Sequence, residues 1–545
     1  MKYVGKLTCC SYRTLVHSLV LCDCLRTAWE YNQKGRKLYP RDKYMADVEQ
    51  RWISYYVGYR LRLFQKAENE GRSYSGDDAG RKRLLADEGY GHPLTWPDSG
   101  MVRRERYSWN SFEPDRINEL PALNAMMAEV APKLEVRAVE LPALSEGWTP
   151  LHGRPTVSVQ LGVFAKEDLA PGDMILDETS ILTANNKLQD ALCDACSADL
   201  PELGGEGADN TSVCPDCDVV FCGEECLDQA MESYHPALCG MDVEAIAKDV
   251  PPAEAADSLY ALLLLRSLAM AETQECHPLE LKEIKYIWGD FHGLPLEKHW
   301  RPAFISMFGR QLPDVHSGLP ATLPFSFEHN VRLPFHMLEK MDIDIFANPQ
   351  YDVWVFNTLY AKFRGTASAR LSGLGGRPVR GPEVSAVHPM WCLANHHCDP
   401  NVTWDWAASI KFKVLDSKVE WAPREGVTEG EYSVPVKKEP GIKKGEEVLN
   451  HYCDIRLPVK ERREWLTGAL GGKCMCGRCV FENDDEADTR AVREAKEKEE
   501  REWGEQIKRE NEEINRQARE RREQRKILPI KKQGSGKQGN AASKV

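Results

Sequence analysis

The chain has 545 residues, 42% hydrophobic and 28% charged, which is too long for one ordinary core and reads as about two to four soluble globular domains. Its net charge of −13 excludes a global pull towards nucleic acid, so any basic patch has to be local. No apolar run approaches the length of a membrane span, and most of the 18 cysteines fall in CxxC, CxxxC and CxCxxC spacings that suit zinc in a reducing, intracellular compartment better than a disulfide scaffold.

In chain order, residues 14–25 follow Lys2, Lys6 and Arg13 and faintly imitate a signal peptide. His17 interrupts the apolar run and no small-residue cleavage site precedes Arg26, so an amphipathic or buried helix is expected. The N-terminal region, 1–145, reads as mostly helical, with an apolar stripe at Trp52, Tyr55, Tyr56 and Tyr59 and a basic face at Arg60, Arg62 and Lys66. Between 89 and 115 it turns loop-like, with Pro93, Pro97, Gly100 and Pro114 as breakers and Trp96 and Trp109 packed on neighbours. Residues 157–182 alternate in strand fashion around Leu161-Gly162-Val163, with a turn at Pro171-Gly172. The stretch 240–350 is mostly helical, notably 258–272. Val355, Leu359, Phe363 and Ala367 recur every four residues within 351–371, predicting an amphipathic helix that ends near Gly373. Strands are expected at 402–406 and 410–415. Past Asp484 charged residues dominate, the pairs Glu497/Arg501, Glu505/Arg509 and Glu512/Arg516 support a solvated helix, and the tail beyond Pro529 should be disordered.

Cys193-x2-Cys196, Cys214-x2-Cys217, Cys222-x3-Cys226 and His235-x3-Cys239 supply the eight ligands that two tetrahedral structural zinc sites need. The Gly204, Gly205 and Gly207 loop between the second and third ligands should project. Residues 193–239 contain many Asp and Glu but no Lys or Arg, so this module should repel phosphate and not bind DNA; peptide docking or a structural role suits it better. Cys474, Cys476 and Cys479 offer three further thiolates, and zinc wants a fourth.

The stretch Trp391 to Asn401 crowds Asn395, His396, His397 and Cys398 ahead of Asp399-Pro400-Asn401, and each buried polar side chain there needs a partner. Next come Gly445-Glu446-Glu447-Val448 and Tyr452, read as a strand, and then the CxCxxC cluster. An NHxCxPN turn, a GEEhxxxY strand and CxCxxC in this order resemble the second half of a SET domain with its post-SET zinc site. The C-x4-C-x3-C-x8-H-x3-C ending of residues 217–239 resembles a MYND finger. Together, about residues 150–482 resemble the SMYD class of SET-domain protein-lysine methyltransferases, which use S-adenosylmethionine; residues 1–140 and the charged tail lie outside the resemblance.

The resemblance implies an α+β chain: a SET-type β-clip fold interrupted by a MYND finger and a helical insert, with a helical N-terminal region and a charged C-terminal tail. The implied parts are 1–145, SET first part 150–192, finger 193–239, helical insert 240–384, SET second part 385–455, post-SET segment 456–482, and tail 483–545. In a MYND finger alternate pairs share a metal, which implies Cys193, Cys196, Cys222 and Cys226 on one zinc and Cys214, Cys217, His235 and Cys239 on the other. The third zinc would join Cys398 to Cys474, Cys476 and Cys479, with Cys392 or Cys453 as competing fourth ligands, giving three zinc ions. Asn395 and His396 would hold S-adenosylmethionine, Asn357 and the bare backbone at Gly162 would approach it, and Tyr452 would be catalytic, with His451 and Cys453 packing beside it. His397 stands where the family has serine, Gln160 where it has glycine, and Gly471-Gly472 where it has aromatics, for which Phe481 could substitute. The implied partner is a protein with a target lysine, histones first, in the nucleus and/or cytoplasm, with no membrane association. A basic run at 521–526 with Lys531-Lys532 reads equally as a nuclear signal or a solvated helix end. The alternative is a catalytically silent adaptor that docks partner peptides on the finger.

Overall fold

A computed structural model describes residues 8–48, 93, 96, 98–103, 107, 109–142, 157–186, 192–202, 204–243, 255–287, 321–370, 383–421, 439–470 and 473–483, with Arg501, Arg509 and Arg516, which are helical and exposed. The expectations for Trp52 to Lys66, for Gly471-Gly472, for the rest of the tail helix and for the basic run at 521–532 lie outside the described residues. The chain divides into two compact units, one of Met1–Trp421 with Val434–Cys479 and one of Ala422–Ser433 with Val480–Val545; the sheets and the cysteine groups lie in the first.

Three helices open it: α1 (Cys9–Leu21), α2 (Leu25–Leu38) and α3 (Lys43–Val48). Tyr12, Val16, Leu19 and Val20 are the buried positions of α1, one stripe at helical spacing, so the segment that imitated a signal peptide is an amphipathic helix packed on α2. The expected loop at 89–115 holds a strand, β1 (Ser99–Arg103), paired antiparallel with a distant one at Ala321–Ser326; Gly100 permits this because an added Cβ would meet the Cys22 carbonyl oxygen, and that contact leaves no room for a side chain.

Helix α4 (Leu120–Val130) leads into β2 (Leu134–Pro142), which pairs antiparallel along its whole length with β3 (Val157–Ala165). The Asn124 side chain fixes the helix to the strand, accepting from Val136 N at 2.7 Å and donating to Val136 O at 3.0 Å. This hairpin spans the 145/150 boundary drawn from sequence, and Leu123, Met127, Val136, Leu161 and Val163 share one core cluster. The next strands are β4 (Met174–Thr179) and β5 (Thr183–Asn185); Gly172 turns into β4 with φ 86°, a left-handed backbone that glycine adopts without strain.

The cysteine-rich module contributes β6 (Ser212–Val213), β7 (Val220–Phe221) and α5 (Glu224–Ser233). Behind it, α6 (Ala255–Thr273) is buried on all sides from Ala261 to Ala271 and forms the spine of the largest core cluster. Then come β8 (Ala321–Ser326), a π-helical turn (Glu328–Arg332), α7 (Leu333–Lys340) and α8 (Val353–Thr366). Val355, Leu359 and Phe363 are fully buried as expected, but the helix stops at Thr366. Ser368 to Arg370 are taken up as β9 (Ser368–Arg370) against β10 (Val384–Ala386), where Ser385 Oγ donates to Ser368 O at 2.8 Å. β10 also pairs with β5, and β11 (Val402–Trp406) and β12 (Ser409–Val414) complete a sheet with β4. Helix α9 (Val459–Leu470) packs beside α8 and precedes a short helix, Gly477–Glu482. The described residues thus combine helices with small antiparallel sheets and no barrel, an α+β chain.

Candidate functional site

The two CxxC pairs of the finger sit in matching turns. Cys193 N donates to Ala198 O and Cys214 N to Val219 O, and the residue after each pair, Ser197 (φ 59°) and Asp218 (φ 61°), is left-handed so that both sulfurs face one point. Cys226 comes from the first turn of α5, and His235 and Cys239 from the 3-10 turn after it, where Cys239 N donates to His235 O at 2.7 Å.

This geometry gathers Cys193, Cys196, Cys222 and Cys226 in one group and Cys214, Cys217, His235 and Cys239 in another, each with its ligand atoms within 4.8 Å of one another. Cys196 and Cys222 sulfurs are 3.8 Å apart, Cys222 and Cys226 3.5 Å, Cys214 and Cys239 3.8 Å, and Cys217 Sγ lies 3.3 Å from His235 Nε2. A tetrahedron with metal–sulfur bonds of about 2.3 Å has edges of about 3.8 Å, so both groups fit such an ion. Arg266 on α6 clamps the module from outside, donating to Asp194 O at 3.0 Å and lying 3.6 Å from the Tyr234 ring centroid. Gly204 to Gly207 are exposed, with open space over the left-handed Gly204 and Gly207.

A third group joins Cys398, Cys474, Cys476 and Cys479, with Cys398 and Cys479 sulfurs 3.3 Å apart. Cys392 is elsewhere, its thiol donating to Pro389 O at 3.2 Å. Cys453 lies with His396 and Cys398 in a separate triad. Tyr452 N–H donates to His396 Nδ1 at 3.0 Å, and burial pushes this imidazole down to about 3, so the neutral ring carries its proton on Nε2. That N–H points at Cys398 Sγ, 3.3 Å away, which makes His396 a donor to the thiolate and not a ligand. Three buried arginines surround the group: Arg462 reaches Cys479 Sγ at 3.7 Å, Arg463 donates to Cys474 O at 3.1 Å, and Arg478 donates to Cys398 O at 2.7 Å. Their charge offsets that of a thiolate-rich centre.

Residues 446–452 run against the turn between Asn395 and Asn401. The expected strand there is only a chain of single bridges, because its backbone groups go to different partners: Val448 N to Val163 O, Asn450 N to Asn395 O, while Ala165 N and His397 N donate to Glu446 O and Asn450 O. Asn401 clasps it from the side, its amide donating to Glu447 O and its oxygen accepting from Leu449 N, both at 2.8 Å. His397, at the position where serine was expected, accepts from Asp399 N at 2.9 Å and so closes the turn.

Half-buried Tyr452 donates its hydroxyl proton to Ala394 O at 2.8 Å, and burial pushes the phenol further up, so it stays protonated. Asn395 Nδ2 donates to Leu161 O at 2.9 Å and Glu447 Oε1 at 2.7 Å. Gly162 lies beneath them; a Cβ there would meet Glu447 Oε1 at 2.6 Å and Asn395 Nδ2 at 3.1 Å, so its bare backbone admits these two side chains. Asn395, Gly162 and Tyr452 are therefore brought together around one turn. Asn357 stands on α8, accepting from Asn330 Nδ2 at 3.0 Å, in the neighbouring core.

Two residues of this site had no sequence signal. Glu178 on β4, 4% exposed, accepts from Met390 N at 3.0 Å and Trp391 N at 2.8 Å; burial pushes it up to about 7. Asn450 is fully buried, and its Nδ2 finds no acceptor among the described residues. No family model and no curated protein matches the chain.

Proposed function

We propose that the protein is an S-adenosylmethionine-dependent protein-lysine N-methyltransferase of SET type, held together by three structural zinc ions. The observation that carries this reading is the convergence of three separate stretches of chain: the turn with Asn395 and Cys398, Tyr452 with its hydroxyl on the Ala394 carbonyl, and the CxCxxC thiols grouped with Cys398. Zinc suits the donor sets, two of four thiolates and one of three thiolates with an imidazole, at near-tetrahedral spacing.

S-adenosylmethionine would supply a methyl on a sulfonium. The residues present fit it in kind: Asn395 and His396 are half-buried polar side chains beside the bare backbone of Gly162. The rest falls to the chain. Gly162 and Asn395 set the floor, Asn401 fixes residues 447–449, and Tyr452 stands ready to orient an amine. Because burial keeps its phenol protonated, Tyr452 acts as a dipole and not as a base. Lysine must arrive neutral, at a cost of about 4–5 kcal/mol at pH 7, and alignment supplies the rest of the catalysis. The second reading, a silent adaptor, draws on Gln160, which accepts from Arg116 Nη2 at 3.4 Å where the family pattern has a glycine.

Tyr452→Phe tests the proposal. Calorimetry should show equal S-adenosylmethionine affinity for both proteins, and labelled methyl transfer to lysines of a cell lysate should fall about 10- to 1000-fold in the variant. Binding without transfer by the wild type would leave the adaptor; no binding at all would remove the cofactor as well.

A further inference from the structure

One surface of the fold shares no residue with the Asn395–Tyr452 turn or the cysteine groups. Phe327, Val331 and Phe335 recur at four-residue steps through the π-helical turn and α7, which gives them one face. The chain reverses at Asp342 (φ 58°), and Ile343 and Ile345 return along that face, leaving a groove of about 970 Å³ between helix and loop. The loop is held by its own hydrogen bonds: Phe346 N donates to Asp344 Oδ1 at 2.9 Å and Asn348 Nδ2 to Asp344 O at 2.8 Å. The Phe346 ring on the groove's lip is thereby kept 76% exposed. Burying a ring of that size is favourable, so an exposed one fixed beside an apolar floor marks a contact surface.

The rim has one sign. Among the described residues, Glu328, Glu339, Asp342 and Asp344 line it against one permanent cation, Arg332, which is already paired with Glu328 at 2.8 Å; His336 stands 3.6 Å from Glu339. An acidic or purely apolar partner would leave these carboxylates repelled or stranded, whereas lysine and arginine bordering an apolar core would meet both parts.

We propose that this groove docks a short segment of a partner protein in which two or three large apolar side chains are bracketed by lysine or arginine. The ring of Phe346 closes over the apolar residues, and the rim carboxylates hold the flanking cations. The site is separate from the proposed methyl-transfer site and does not depend on it.

The test uses the full chain without cofactor and a fluorescent twelve-residue peptide of leucine and isoleucine flanked by lysine pairs. Two control peptides have glutamate for lysine or serine for the apolar residues. Saturable binding in a range of about 1–100 μM is expected for the first peptide, weakening with salt, and at least about tenfold weaker binding for both controls. Phe346→Ala and Glu339→Lys, both at exposed positions, should each weaken binding about tenfold with unchanged melting curves. Hydrogen exchange of the wild type should slow within 327–346 on peptide addition. Absent saturation, equal binding of the glutamate peptide, or binding and exchange indifferent to both substitutions would overturn the proposal.

Discussion

The finger and the CxCxxC group solve the same problem at opposite ranges. All eight finger ligands lie within 193–239, and the CxxC turns that aim their sulfurs are closed by hydrogen bonds inside that span. The third group takes one ligand from Cys398 and three from 474–479, and its surroundings come from α9 and the Asn395 turn. A local cluster couples metal binding to folding of its own module, whereas a distant one closes a long loop and registers whether the rest of the chain is in place. The finger's own span supplies no cation and borrows Arg266 from α6, while the third group is ringed by Arg462, Arg463 and Arg478. The first design is a local brace docked on α6 and the second a clasp on the Asn395 turn.

The sharpest way to break this contrast is Cys398→Ser. Metal analysis should fall from three zinc ions to two, the finger should stay loaded, and methyl transfer should be abolished because the turn carrying Asn395 and His396 loses its anchor. Unchanged zinc in that variant would defeat the assignment. A second clasp of the same long-range kind is the Lys362–Glu113 pair, 3.0 Å apart with side chains 1% and 2% exposed, with Lys362 also donating to Ile287 O at 2.9 Å. Lys362→Met should cost about 3–5 kcal/mol in denaturant melts, as removal of one partner strands a buried charge, and adding Glu113→Leu should restore part of it. No loss in the single variant would mean that the pair does not bind the N-terminal stretch to α8.

Glu178 refines the comparison at the foot of the turn. Its folded pKa of about 7 lies above the ordinary carboxylate value of 4.5, so the folded state holds the proton more tightly than the unfolded chain. Stability from this group should therefore be full below about pH 4.5, fall as pH rises through the window to about 7, and stay reduced above it, by up to about 3 kcal/mol. Glu178→Gln, which cannot titrate but gives up one of the two accepted hydrogen bonds, should lose the wild type's fall in melting temperature between about pH 4.5 and 7. A constant difference across the range would locate the effect in packing. The smallest change concerns the hairpin ahead of the site: Asn124→Ala unpairs Val136 N and O and should cost about 1–3 kcal/mol while leaving zinc content at three.

Part of the metal architecture was legible because cysteines two or three residues apart can face one point. Which pairs combine, and Cys398 as the partner of the CxCxxC thiols, came only from the resemblance to a MYND finger and a post-SET site. Asn395 stood out because a dense polar turn demands partners, and Tyr452 through the resemblance alone. Glu178, Asn450 and the three arginines did not, since each acts through contacts whose other half lies far along the chain or in a backbone group. The strand expected over 445–452 from the resemblance failed for the same reason: its hydrogen bonds are shared among β3 and the Asn395 turn. The early end of α8 at Thr366 likewise reflects β9 drawn into pairing with β10, a tertiary demand that overrides a four-residue repeat.

The β2–β3 hairpin has a practical corollary for anyone cutting this chain into pieces. A fragment started at residue 150 would keep β3 and discard β2, along with the α4 residues Leu123 and Met127 that cover the same core. One side of β3 would then present a run of open amides and carbonyls beside bared leucine and valine, an invitation to sheet-to-sheet sticking between copies. Such a fragment should collect in inclusion bodies, whereas one begun before Arg116 keeps its own strand cover and should stay in solution.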